Sequence, residues 1–192
     1  MSEEIETRIS KITSWIKNPY NLILIGILLF GLALRIFLFV KTLGQAGWYD
    51  EMDMMSMAKS WAFGIPYEYN MHRPPLFQLF AAALFWIGLN DSIIKLLIVL
   101  VPSTILIFAV YLLGKEMYNK EVGLIAAFLT SVSWTLVFWT ERFQPDSFSV
   151  LFQVLAVLFM WKFWKEQNLP LVNERLETKY IVLAKRFSIS LP

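Results

Sequence analysis

Cysteine is absent from these 192 residues, and histidine occurs once, as His72. Without a thiol there can be no disulfide, no zinc–thiolate site and no thiol nucleophile. One imidazole cannot build a multi-histidine metal cage. Charge of a single sign is also lacking. Seventeen Lys and Arg against 15 Asp and Glu leave a formal net charge of +2, too near balance to argue for nucleic acid as a partner. Apolar residues, by contrast, make up 57% of the chain and mean hydropathy is +0.56. A soluble domain is typically roughly 45–50% apolar, so this composition points to a membrane protein. A cleavable leader is not expected, because Glu3, Glu4 and Glu6 precede a first apolar run that is longer than a signal core and has no small-residue cleavage site behind it. That run reads as a retained anchor.

Hydropathy predicts an all-α, polytopic fold with about four transmembrane helices: Leu22–Val40, Leu96–Leu113, Val122–Thr140 and Ser147–Trp164. Nineteen residues at 1.5 Å each give about 28 Å, enough for a hydrocarbon core of roughly 30 Å. Arg35 interrupts the first run near its end, from where it is expected to snorkel outward. Pro102 is expected to kink the second, and Lys162 to snorkel from the last. Leu76–Leu89 is about 21 Å of helix, short for a crossing, and reads as a re-entrant or interfacial helix. With that segment not crossing and the N-terminus cytoplasmic, eleven Lys and Arg fall inside (Arg8, Lys11, Lys17, Lys115, Lys120, Lys162, Lys165, Arg175, Lys179, Lys185, Arg186). Five fall outside (Lys41, Lys59, Arg73, Lys95, Arg142), as the positive-inside rule requires. The chain then divides into a lead-in over 1–21, a membrane domain over 22–164 with an external loop over 41–95, and a cytoplasmic tail over 165–192. In that tail an apolar run, 180–184, begins and stops at Lys185-Arg186, which suggests a truncated or frame-shifted end.

Three polar strings stand out against this background: Trp48-Tyr49-Asp50-Glu51, Met71-His72-Arg73-Pro74-Pro75-Leu76 and Glu141-Arg142-Phe143-Gln144-Pro145-Asp146. Ionisable groups beside hydrocarbon are costly and tend to mark function. Asp50 opens a predicted helix, Asp50–Gly64, stopped by Gly64 and Pro66 and apolar enough to lie on the bilayer surface. Read structurally, Asp50 is an N-cap with Asp53 at the third position of a capping box. Read functionally, it is a general base whose partial desolvation raises its basicity. Arg73 stands on a stiff Pro74-Pro75 stalk, suited either to lipid headgroups or to bidentate binding of a phosphate. Asp146 reads as a helix cap or as a group facing Asp50 across a pocket, with Arg142 beside it. Tyr49 and Trp48 could stack on a sugar ring. His72 is the one candidate for a metal ligand.

Taken together in order and spacing, over roughly Leu22 to Trp164, these strings resemble the N-terminal part of GT-C membrane glycosyltransferases. The closest group in character is that of the dolichyl-phosphate-mannose protein mannosyltransferases and aminoarabinose transferases (glycosyltransferase family 39). The resemblance implies a hexosyl- or pentosyl-type transferase using a polyprenyl-phosphate sugar donor. The acceptor would be a protein, lipid or glycan on the external face of the membrane, a prokaryotic plasma membrane. It implies that Asp50 is the base with Glu51 in support, that Arg73 holds the donor phosphate, and that Asp146, Arg142 and Tyr49 contact substrate. Displacement would invert the sugar carbon. No cofactor is expected beyond a divalent metal at His72, where some relatives place an acidic ligand. The family continues through many further helices, so this chain is expected to be a fragment. Two other readings stand beside the enzyme: a non-catalytic membrane subunit or degenerate relative, and a small transporter piece. The transporter reading suffers from spans that are nearly free of charge.

Overall fold

The computed structural model describes residues 15, 17–67, 73 and 75–188, with side chains up to residue 167 other than that of Glu141. The helices are α1 (Pro19–Thr42), α2 (Tyr49–Phe63), α3 (Pro75–Trp86), α4 (Asp91–Met117), α5 (Lys120–Val132), α6 (Trp134–Phe138) and α7 (Asp146–Ser188). Their starts follow local chemistry. Asn18, Asn90 and Asn119 each turn a side-chain oxygen onto an orphan amide, of Tyr20 (3.1 Å), Ile93 (3.0 Å) and Val122 (2.9 Å) respectively. Gly64 ends α2 in the left-handed region, at φ 68°, and donates its amide to Ser60 O at 2.8 Å.

Three helices are long and apolar enough to cross a membrane: Pro19–Thr42, Asp91–Met117 and Asp146–Gln167. The fourth expected span, Val122–Thr140, is not one helix. It breaks at Ser133, which is extended (φ −58°, ψ 113°), into α5, the short α6 and a 3-10 turn over Trp139–Glu141. The broken passage still runs beside α1 from end to end. At one end the Tyr20 hydroxyl donates to Glu121 at 2.5 Å. Midway Arg35 meets Ser131, and at the other end Arg142 reaches Gln45 and Ala46. The chain therefore traverses the bundle four times, three times as a long helix and once as a broken one.

Helices in lipid gain little by hiding apolar surface from each other, so close approach and packing hold them together. Glycine permits that approach here. A Cβ on Gly123 would lie 2.7 Å from Tyr111 O, and one on Gly114 2.9 Å from Gly123 Cα, which lets α4 and α5 form a tight antiparallel hairpin. In α4 the turn over Leu96–Leu100 is π-helical, with the Val101 amide bonded to Leu96 O. The missing amide of Pro102 falls directly after it, so the wider turn takes up the disruption expected at this proline.

α3 begins and ends at one end of the bundle, as its length predicts. Phe77, near its start, packs on Phe143 and Phe148. Phe85, near its end, packs on Phe63, close to where Lys59 pairs with Asp91 at 2.8 Å. α2 does not simply float on a bilayer surface. Met54, Met55 and Ala58 are buried in a core shared with Phe77, Ala81 and Phe85 of α3, Ile94 and Ile98 of α4, and Phe143. α7 runs on into the expected tail as far as Ser188. The lead-in up to residue 14 lies outside the described residues.

The expectation for Arg35 is also overturned. Arg35 does not snorkel; it is fully buried inside the bundle. Its Nε donates to Ser103 Oγ at 2.8 Å, and Nη1 donates to the carbonyls of Gly31 (3.0 Å) and Ser131 (3.2 Å). Nη2 reaches Thr130 O at 3.4 Å. Four acceptors within reach remove the physical reason for snorkelling.

Candidate active site at one end of the bundle

The described residues of the three polar strings converge on the end of the bundle where α1 stops and α4 and α7 start. Glu51 is their centre. It is 1% exposed, and its carboxylate accepts the Phe143 amide at 3.2 Å and the Trp48 amide at 3.4 Å. It also pairs with Lys95 at the start of α4 and with Arg142 at 3.7 Å. A buried carboxylate is tolerated only when so compensated.

This arrangement corrects the expected cap. The N-cap of α2 is Trp48, and the carboxylate reaching back to its amide is Glu51, not Asp53. Asp50 lies one step inside the helix, where a negative charge suits the helix dipole. Its side chain is 53% exposed and pairs with Arg73. The same guanidinium approaches Asp53 Oδ2 at 3.8 Å. The other Asp53 oxygen accepts the Tyr67 hydroxyl at 2.5 Å. That bond, ahead of burial and the Asp53 charge, pushes the Tyr67 hydroxyl up to about 12. Thus Arg73, though 23 residues away in sequence, is delivered to Asp50 and Asp53 together.

Arg142 is 8% exposed and held by protein. It donates to Gln45 Oε1 at 3.2 Å and to Ala46 O at 3.4 Å, and it lies 4.6 Å over the Trp48 ring. Trp48 in turn packs against Phe138 and Trp139 and stays 46% exposed. Tyr49 is 85% exposed. Asp146 is exposed in the first turn of α7. His72 lies outside the described residues. Among the described residues no group of three or more His, Asp or Glu is placed to hold a metal ion.

A polar cleft of about 210 Å³ opens beside Glu51, lined by Thr42, Gln45, Gly47, Asp91, Ser92 and Lys95 among others. Lys95, Gln45 and Tyr67 were not singled out as site residues from sequence. Lys95 looks there like an ordinary interfacial base, and Tyr67 like one of seven tyrosines. Only the folded contact with Glu51 or Asp53 distinguishes them.

The arrangement is an exposed carboxylate held by a guanidinium, on a platform cross-braced through a buried Glu. Such a pair can accept a proton at one group and hold an anion at the other.

No curated protein and no solved structure matches the chain. A family model does match, that of dolichyl-phosphate-mannose-protein mannosyltransferase, over residues 72–172, a little more than half of the chain. The matched stretch starts at His72 and takes in Arg73, Arg142 and Asp146, while Asp50 and Glu51 precede it. The apolar helices, the site gathered at one end of the bundle and this match agree: the chain belongs to the dolichyl-phosphate-mannose-protein mannosyltransferase family, membrane glycosyltransferases of the GT-C type.

Proposed function

We propose that this end of the bundle transfers a sugar from a polyprenyl-phosphate donor to an acceptor hydroxyl on the external side of the membrane. Asp50 takes the proton from the acceptor. The freed oxygen attacks the anomeric carbon, the bond from that carbon to the phosphate oxygen breaks, and polyprenyl phosphate leaves with its electron pair. Arg73 neutralises the phosphate in the ground state and the charge it gains on leaving. Attack opposite the leaving group inverts the sugar carbon. Tyr49 and Asp146, the exposed members of the set, are assigned to sugar or acceptor. Glu51 and Arg142 are assigned to support, because their charges already face protein partners. The same end carries Lys41, Lys59, Arg73, Lys95 and Arg142, and the positive-inside rule puts this poorer basic set outside.

The observation that carries the reading is the Arg73–Asp50 pair: an anion holder within contact distance of a solvent-facing base. Asp50→Asn tests it in membranes supplied with a polyprenyl-phosphate sugar. Transfer should fall by roughly 10²–10⁴-fold, the usual worth of a general base, while membrane insertion stays unchanged. Transfer retained at the wild-type rate would remove Asp50 as the base. A wild-type chain that inserts but transfers nothing would favour the non-catalytic subunit.

A further inference from the structure

Arg35 is a charge inside the membrane span with no carboxylate beside it among the described residues, and such groups ask for a reason. Its partners supply one. The helical ladder of α5 stops at Ser133, leaving the last carbonyls of α5 at the negative end of a helix dipole. Two of these carbonyls, Thr130 O and Ser131 O, accept from the Arg35 guanidinium. The third arm, Nε, donates to Ser103 Oγ on α4, and Ser103 Oγ shares a 3.0 Å hydrogen bond with Thr140 Oγ1. Ser103 and Thr140 are themselves buried, at 0% and 1% exposure. Thr140 lies beyond the break, and two and three residues later come Arg142 and Phe143, the groups that engage Glu51. One cation therefore grips the chain before the break directly and after the break through one serine. A Cβ on Gly31 would come 2.6 Å from Ile107 Cδ1 and 3.1 Å from Ser131 Cβ, so this glycine lets α1 lie close to α4 and α5 beside Arg35.

We propose that Arg35 is a positioning residue: it caps α5 within the membrane, holds the break at Ser133, and so sets where Arg142 and the Phe143 amide meet Glu51. The inference concerns geometry and stands apart from the transfer reaction assigned above.

The absence of cysteine allows a direct test in membranes with the full chain. Two cysteine pairs are made, Trp48→Cys with Trp139→Cys beyond the break, and Tyr20→Cys with Glu121→Cys before it. Each is treated with a short bifunctional thiol reagent. With Arg35 present both pairs should cross-link. With Arg35→Leu the Trp48/Trp139 pair should lose at least three-quarters of its yield while the Tyr20/Glu121 pair keeps its own. Arg35→Lys, which keeps a buried cation, should recover a substantial part of the lost yield. An unchanged Trp48/Trp139 yield in Arg35→Leu would overturn the proposal. Loss of both pairs would also overturn it, by showing that Arg35 holds the whole bundle and not the broken passage. Failure of Arg35→Lys to recover any yield would remove the capping charge as the cause.

Discussion

Glu51 and Asp50 are adjacent carboxylates with opposite structural fates, and their replacement should separate stability from chemistry. In Glu51→Ala the Phe143 amide, in a residue with no exposure, loses its acceptor. A buried donor left unmade costs about 1–3 kcal/mol. Lys95 and Arg142 lose their shared counter-charge at the same time. Breaking a fully buried pair costs roughly 3–5 kcal/mol. Here only a fraction of that applies, because the Lys95 side chain is 25% exposed and can turn to water. The two contributions together suggest a loss of about 3–4 kcal/mol. Glu51→Gln keeps an oxygen for the amide and should cost about half as much. Asp50→Ala removes an exposed pair with Arg73, worth about 0–1 kcal/mol. Unfolding in mixed micelles of mild detergent and dodecyl sulfate, followed by tryptophan fluorescence, reports these differences. A Glu51→Ala loss within 1 kcal/mol of that for Asp50→Ala would refute the view that the platform is braced through Glu51. Equal losses in Glu51→Ala and Glu51→Gln would refute the part given to the amide bond.

Single cysteines at Gly44 and Asp146 should both react with an impermeant maleimide from one side of the membrane, and a cysteine at Tyr118, in the turn after α4, only from the other; Gly44 and Tyr118 labelling from the same side would contradict the four-pass path. Gly123→Ala should lose about 1–3 kcal/mol by overpacking, since the new Cβ would sit 2.7 Å from Tyr111 O, and a fully stable variant would show that the α4–α5 contact yields easily. Tyr67 is raised in the folded protein from 10 to about 12 by its bond to Asp53. Its contribution is thus complete below pH 10 and lost as pH climbs toward 12. Tyr67→Phe should flatten the alkaline limb of a stability–pH profile over that window, and identical profiles would exclude the bond.

Much of this protein is determined by sequence alone, because the lipid phase imposes a simple demand. Every backbone amide must be satisfied within its own segment, so apolar runs such as Leu22–Val40 become helices and their lengths decide which cross. The non-crossing α3, the stop of α2 at Gly64 and the grouping of the three polar strings all follow from length, glycine and charge count. Helix ends were less legible. Trp48 caps α2 only because Glu51, three residues on, is held in place by Lys95, Arg142 and the Phe143 amide. The tertiary structure decided what depends on partners far along the chain. A guanidinium near a helix end either snorkels or turns inward, and hydropathy treats both alike. Arg35 turns inward because Ser103, Thr130 and Ser131, which lie 68 to 96 residues away, present oxygens to it. The break at Ser133 is equally silent in composition, since an uncharged run of the right length reads as one span. What makes a break tolerable is a donor brought from another helix to the freed carbonyls, and that donor exists only once the bundle has closed.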